Sequence, residues 1–554
     1  MLVVRELARK FALQNALSHG GRAQTKAVMG KVLAADPDVR HRVSEVAETV
    51  SSVVEEVNAL DPEEQRRLLQ DLAPELLERP RETRREGLPD LADVSDVVVM
   101  RLAPYPSGPL HIGNARMVLL NDEYTKRYGG RLLLVHDDTI GSDEKLPLAE
   151  AYGQVEEGLR WLGVEVHEVL YKSDRLPLFY DWGRRLLDVG GAYVCLCSSP
   201  ELRANRVAGR ACEHRASETE ENLRRWEEML AGELAPGQAV VRLKTDMRHP
   251  NPAFRDRVLF RISDRSHPRV GTRYRVWPLL EFSWAVDDHL LGVTHVLRGK
   301  DLLMEDEMER AIWDYFGVDG PAFIHFGLLR LKEVDLSKSR QHRRIEAGEL
   351  AGVDDPRTWS LQSLRRRGIQ PGALRDFIKG FGLSLTDIEV PAETLYAENR
   401  RLIDPLANRY FLVPDPVAIR IEGLPERREA HPRLHPDFPE RGTRTLPGAE
   451  EVYLARQDLE AHEGEEIRLK DWCNVRLVDG AKFLSWRVRD IPKVQWLPRG
   501  LPATVLMPDA SEVEGLAEEA VGDLAEGTML QFERFGFVRL EDPGPPVVAV
   551  YAHR

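Results

Sequence analysis

The stretch from Val97 to Asp122, VVVMRLAPYPSGPLHIGNARMVLLND, leaves the chain few folds to choose from. It opens on three β-branched residues, Val97, Val98 and Val99, which spell a buried strand. Pro104, Pro106, Gly108 and Pro109 then forbid both a longer strand and a regular helix, so the chain must turn tightly. After Gly113 the spacing becomes helical, with Met117, Leu119 and Leu120 available for a buried face. A strand, a Gly/Pro turn and a helix start aim backbone N–H groups and the positive end of a helix dipole at one point, which suits phosphate. His111 lies inside that turn, where an imidazole can donate to a phosphate oxygen. It would serve equally as a structural residue of an ordinary strand-to-helix loop.

A second segment, Leu336-Ser337-Lys338-Ser339-Arg340, stands far along the chain. There Lys338 offers an ammonium on a loop, able to neutralise phosphates as charge builds on a departing pyrophosphate. Together, His111-Ile112-Gly113-Asn114 and Leu336-Ser337-Lys338-Ser339 resemble the two signatures of class I aminoacyl-tRNA synthetases, whose usual forms are HIGH and KMSKS. From about residue 95 to 420 the chain is similar to the glutamyl/glutaminyl subfamily, and especially to its archaeal glutamyl type.

The resemblance implies a multidomain α/β protein built on a Rossmann-like class I catalytic core. Its expected parts are an N-terminal helical domain (1–95), the first half of the core (96–194), an α/β acceptor-stem-binding insertion (195–276) and the second half of the core with the LSKS loop (277–345). A helical connector (346–400) and β-barrels that bind the anticodon (401–554) complete it. The residues agree in outline. A length of 554 exceeds one core. Val46, Val50, Val53, Val54 and Val57 recur at helical spacing, and Asp61 before Pro62 reads as a helix cap. Helix is expected from Glu346 to Ala397, and strands dominate beyond Leu412.

No transmembrane helix is expected, since no run approaches ~20 uninterrupted apolar residues. Arg5, Glu6, Arg9 and Lys10 interrupt the N-terminal apolar pattern, unlike a signal peptide, and a cytoplasmic location is expected. Four cysteines give no disulfide framework. A net charge of −14 looks unfavourable for a nucleic-acid partner, but the placement of basic groups matters more than their sum. Arg340, Arg343, Arg344, Arg357, Arg365, Arg366, Arg367 and Arg375 make one basic run, equally compatible with an RNA face and with a solvated helix face.

Cys195-x-Cys197 and Cys212-x-His214 form two close pairs with the donor types of a closed tetrahedral Zn²⁺ site. A similar zinc module occurs in the acceptor-binding insertion of related enzymes, which makes this zinc structural. A second strand, Arg131 to Val135, ends in His136-Asp137-Asp138-Thr139, placing carboxylates where open α/β sheets bind ligands. By resemblance Asp137 meets the amino acid's α-amino group, Arg101 its side chain, and Arg298 belongs to the glutamate site that glutaminyl relatives lack. Pro104 is expected beside the same substrate. His111, Gly113, Asn114, Gly299, Ser337, Lys338 and Ser339 are expected to bind ATP, with His111 and Lys338 catalytic and Mg²⁺ on the pyrophosphate. A substrate with two carboxylates needs one more cation than glutamine does, and arginine offers a bidentate fork.

The implied activity is ATP-dependent attachment of L-glutamate to tRNA(Glu) by a monomer, with charging of tRNA(Gln) left open by the sequence. Two rivals remain: a glutaminyl enzyme on the same fold, and a non-catalytic synthetase-derived RNA-binding or scaffold protein. Val135, Leu280 and Asp335 motivate the second rival, because the family usually has arginine, tyrosine and lysine there.

Overall fold

A computed structural model describes residues 2–18, 21–35, 43–73, 87–94, 97–142 and 145–554. The chain divides into two compact units, Met1–Pro89 and Asp90–Arg554. The domain boundary expected at residues 95 and 96 lies outside the described residues.

The first unit is helical: α1 (Leu2–Ser18), α2 (Thr25–Ala35), α3 (Val43–Asn58) and α4 (Pro62–Leu72). The valines at 46, 50, 53, 54 and 57 on α3 are buried in one core with Ala8, Ala12 and Leu13 of α1 and Val28 and Val32 of α2. The Asp61 carboxylate accepts from the Glu64 N–H at 2.9 Å, with Pro62 opening α4. This is the cap that the Asp-Pro pair spells.

The second unit begins with β1 (Val99–Leu102), α5 (Ile112–Arg127), β2 (Arg131–His136) and β3 (Glu168–Tyr171). An antiparallel sheet follows, formed in chain order by β4 (Ala192–Cys195), β5 (Val240–Leu243), β6 (Val258–Ile262) and β7 (Val276–Pro278). The chain then returns through β8 (His295–Gly299) and β9 (Ala322–Phe326), completing a parallel sheet of order β3-β2-β1-β8-β9. All four residues of β1 are buried, as a strand covered on both faces requires. Because the chain winds outward in opposite directions from β1 and β8, the crevice between their carboxyl ends is the topological switch point, where such sheets take ligands. Arg101 of β1 and Arg298 of β8 stand beside it.

The antiparallel insertion shares one apolar core with the helices around it. Trp226 and Phe260 of the insertion lie in the same buried cluster as Phe179, Phe282 and Trp313. The helical pattern expected over 346–397 is divided among several short helices. The connector's helices are Lys338–Glu346, Leu361–Arg366, Pro371–Lys379 and Glu393–Ile403, and a strand Ile388–Val390 pairs parallel to Leu329–Leu331. Gly352 and Pro356, then Gly382 and Pro391, break the helical spacing. Beyond it, one seven-stranded and one six-stranded sheet each enclose a core, the first around Val505, Phe532 and Val538, the second around Trp472 and Trp496.

Candidate active site

His111 closes the turn by capping α5. Its Nδ1 accepts from the Gly113 N–H at 3.1 Å, while the Asn114 side chain accepts from the His111 N–H at 3.2 Å. This reciprocal pair satisfies two backbone groups at the helix start. With Nδ1 an acceptor, the neutral ring carries its proton on Nε2, which is left as a donor. Burial, reinforced by the charge of Lys338, pushes the imidazole down to about 3, so the neutral form holds throughout the working range. Gly113 is a steric necessity. A Cβ there would stand 2.9 Å from His111 Cε1, 3.0 Å from its Nδ1 and 3.3 Å from Leu336 Cδ1.

That last contact brings the second signature against the first. Lys338 Nζ donates to the Gly108 carbonyl at 3.4 Å. Gly108 has φ +138°, a conformation that side chains disfavour, and a Cβ on it would come within 4.0 Å of Lys338 Cβ. Lys338 is the first residue of the helix Lys338–Glu346 rather than part of a free loop. Burial, then the charge of Lys145, lowers its ammonium to about 8. No carboxylate pairs with it among the described residues. A cation held at the positive end of a helix without a counter-ion is a site arranged for an anion.

A segment that spacing did not flag clamps the two signatures together. Ile112 N–H donates to the Trp359 carbonyl at 3.2 Å and Leu361 N–H to the Leu110 carbonyl at 2.8 Å. Gln341, one turn into the Lys338 helix, donates to the carbonyls of Asp335 and Thr358, both at 2.8 Å.

Across the switch point, Arg101 gives a two-pronged grip to the Asp288 carboxylate, with its Nη2 at 2.8 Å from Oδ2. Arg298 donates to Glu309 at 2.8 Å and to Asp306 at 2.5 Å. Both arginines are buried, and each keeps donors beyond those its acids use; Arg298 Nε has no partner among the described residues. Asp137, also buried, is anchored by its N–H to the Pro104 carbonyl at 3.1 Å, which is how Pro104 enters the site. Asp137 lines a 280 Å³ cavity with Tyr105, Thr139, Lys145 and Leu280. Gly299 ends β8, where a Cβ would fall 2.3 Å from Asp301 Oδ1.

Cys195, Cys197, Cys212 and His214 converge, with one ligand atom from each lying within 4.8 Å of all the others. The Cys195 and Cys212 sulfurs are 3.8 Å apart, and Arg242 Nη1 approaches them at 3.9 and 3.8 Å. A guanidinium aimed at two sulfurs suits thiolates, and three sulfurs with one imidazole fit a closed zinc site. Cys473 is buried in the C-terminal six-stranded sheet's core instead.

Comparison with known proteins agrees with this geometry. The family model described as tRNA synthetases class I (E and Q), catalytic domain, matches residues 97–404. Two models for the anti-codon binding domain of the same enzymes match residues 407–483 and 493–541. Among individual proteins, the chain is 44% identical to a Glutamate--tRNA ligase of Methanothermobacter marburgensis over 561 residues, spanning all of both chains. It is equally 44% identical to one of Pyrococcus abyssi over 575 residues, and 42% to one of Thermococcus onnurineus over 579, again with complete coverage. The chain belongs to the class I tRNA synthetases of the E and Q type.

Within this synthetase much of the basic run between 340 and 375 is paired with acids of the chain itself. Arg340 pairs with Asp335 at 3.0 Å, Arg357 with Asp355 at 2.7 Å, Arg365 with Glu157 at 3.1 Å and Arg375 with Asp122 at 2.7 Å. Arg366 grips Glu541, and the buried Arg367 donates to Tyr396 Oη at 2.7 Å and to the Ala552 carbonyl at 3.0 Å. Arg365 and Arg375 tie the connector to the catalytic core, and Arg366 and Arg367 tie it to the last sheet, while Arg340 and Arg357 pair locally. Sequence reasoning also passed over Lys172, Trp284 and Asp288. Asp288 had a signal, one of two adjacent acids on a helix with a mostly apolar first half; Lys172 and Trp284 had none in spacing alone.

Proposed function

We propose that this synthetase attaches L-glutamate to tRNA(Glu) through a glutamyl-adenylate. The observation that carries the reading is the meeting of His111 and the unpaired Lys338 ammonium over one Gly108 turn. ATP lies along the start of α5. His111 Nε2–H donates to a phosphate oxygen, and backbone at Gly113, Asn114 and Gly299 receives the nucleotide, with Ser337, Lys338 and Ser339 over its phosphates. A glutamate carboxylate oxygen attacks the α-phosphorus, the bond from that phosphorus to the bridging oxygen breaks, and pyrophosphate leaves with the electron pair. Lys338 stabilises the charge that gathers there. A hydroxyl of the tRNA's terminal adenosine then attacks the activated carbonyl, loses its proton and expels AMP. Positioning and fixed charges supply the acceleration.

Arg101 and Arg298 bind the glutamate carboxylates, Asp137 its ammonium, and Pro104 fixes Asp137. Mg²⁺ bound with ATP would offset charge on the pyrophosphate. Zn²⁺ on Cys195, Cys197, Cys212 and His214 is structural, because four protein ligands leave no position for a substrate. In this reading residues 96–194 and 277–345 activate, 195–276 hold the acceptor stem, 346–400 connect and 401–554 read the anticodon. The enzyme acts as a cytoplasmic monomer. Among the described residues no helix is long and apolar enough to cross a membrane.

The test is exchange of labelled pyrophosphate into ATP with tRNA present, run with glutamate, glutamine or neither. Exchange with glutamate alone is expected. Exchange with glutamine alone would make this a glutaminyl enzyme, and none with either would make it a scaffold. Charging tRNA(Glu) and tRNA(Gln) side by side decides whether the second is also an acceptor.

A further inference from the structure

Four strands of the parallel sheet deliver a charged group to the same end. Lys172 follows β3, Asp137 follows β2, Arg101 lies in β1 and Arg298 in β8. Three of these are cations, and they surround a single indole. Arg101 Cζ is 4.8 Å, Lys172 Nζ 5.2 Å and Arg298 Cζ 5.0 Å from the centroid of the Trp284 ring. All are buried, and Lys172 is 0% exposed. Burying three like charges around one ring is costly unless anions share the space.

The anions present serve the arginines better than they serve the lysine. Asp288 takes two donors of Arg101, and Asp306 and Glu309 hold Arg298. Lys172 Nζ has Asp137 Oδ1 at 3.0 Å and Ser283 Oγ at 2.7 Å, which leaves one of its three N–H groups without an oxygen or nitrogen partner among the described residues. Two more buried donors beside it, Trp284 Nε1 and Arg298 Nε, also have none. Three unspent donors among these paired charges ask for a further acceptor, and a carboxylate supplies the strongest one.

Asp137 is the carboxylate assigned above to the substrate's α-ammonium. When that ammonium arrives, Lys172 must share or lose the Asp137 carboxylate, and a substrate carboxylate restores the balance. We propose that Lys172 is a specificity-determining residue of the amino-acid site, its ammonium joining Arg101 and Arg298 in selecting a substrate side-chain carboxylate over an amide. A carboxylate offers these cations two charged acceptor oxygens, whereas an amide offers one neutral oxygen and an NH2 group that meets only donors, so the carboxylate is favoured. This inference rests on the glutamate-activating reading of the same site.

The experiment compares kcat/KM for glutamate and for glutamine in pyrophosphate exchange with tRNA, using glutamine's competitive inhibition constant where it is not turned over. Lys172→Gln is expected to lower the preference for glutamate by about tenfold or more, while KM for ATP stays put and Lys172→Arg keeps the preference. Removing Lys172 leaves Asp137 buried without its partner, so the single variant risks misfolding. The pair Asp137→Asn and Asp137→Asn/Lys172→Met avoids that, and the drop in preference is expected between those two. A preference unchanged in both comparisons overturns the proposal, since a merely structural lysine would affect both amino acids alike. Wild-type protein that exchanges with neither amino acid overturns the glutamate reading itself, and the proposal with it.

Discussion

Lys338→Met is expected to stabilise the free protein while disabling it. The wild-type ammonium is largely buried, with no acidic partner among the described residues and with Lys145 nearby, and its proton is held at about 8 instead of the ordinary 10.5. That depression measures how much the folded state resists the charge: about 3 kcal/mol at neutral pH as an upper bound. Solvent still reaches part of the side chain, which reduces the figure to about 1–2 kcal/mol. The sign follows from proton counting. Between pH 8 and 10.5 the unfolded chain keeps a proton that the folded one has released, so this group's penalty is full below pH 8 and fades as pH rises to 10.5. Methionine carries no charge at any pH. Denaturant midpoints of wild type and variant should therefore differ most at pH 7, with the variant more stable, and converge above pH 10.5.

Activity moves the other way. Loss of a preorganised cation from the departing pyrophosphate is expected to lower pyrophosphate exchange about 10²–10³-fold. In the wild type, kcat/KM for ATP should fall above about pH 8 as the free enzyme's ammonium titrates, whereas kcat should hold to higher pH because bound phosphate favours the charged form. A variant less stable than wild type at pH 7, or one with full exchange activity, would refute the argument that the site stores an unpaired cation for ATP.

Gly113→Ala should displace the His111 ring, since its Cβ would stand 2.9 Å from Cε1; a stability loss of about 1 kcal/mol in denaturant titration and a lower exchange rate are expected. Elemental analysis should find one zinc per chain, and Cys212→Ser should abolish it and lower the melting temperature, with Cys473→Ser leaving zinc content unchanged. Asp288→Ala strands the buried Arg101 and should cost about 3–5 kcal/mol by the same titration.

The strand, turn and helix around His111, the acids after β2, the zinc quartet and the cap at Asp61 were all legible, because each is set by residues within a few positions of one another. The clamp at Thr358–Leu361 was not. Its work is done by backbone carbonyls, and Trp359 at φ +55° carries no sequence signal for that role. The basic run from Arg340 to Arg375 was legible as charge but not as use. Its partners Asp122, Glu157 and Glu541 come from distant segments, and only the fold decides whether an arginine finds an acid or water. The amino-acid site shows the same limit most sharply. Arg101 and Asp288 are 187 positions apart, and Lys172 and Ser283 are 111 apart. Resemblance marked the arginines. The physics of buried charge adds what resemblance omits: each arginine is oriented by its own acid, and a third cation beside them is left asking for an anion. A site neutralised this way in the free protein can lie closed without a ligand, and it should open only to a molecule that brings both an ammonium for Asp137 and a carboxylate for the cations around Trp284.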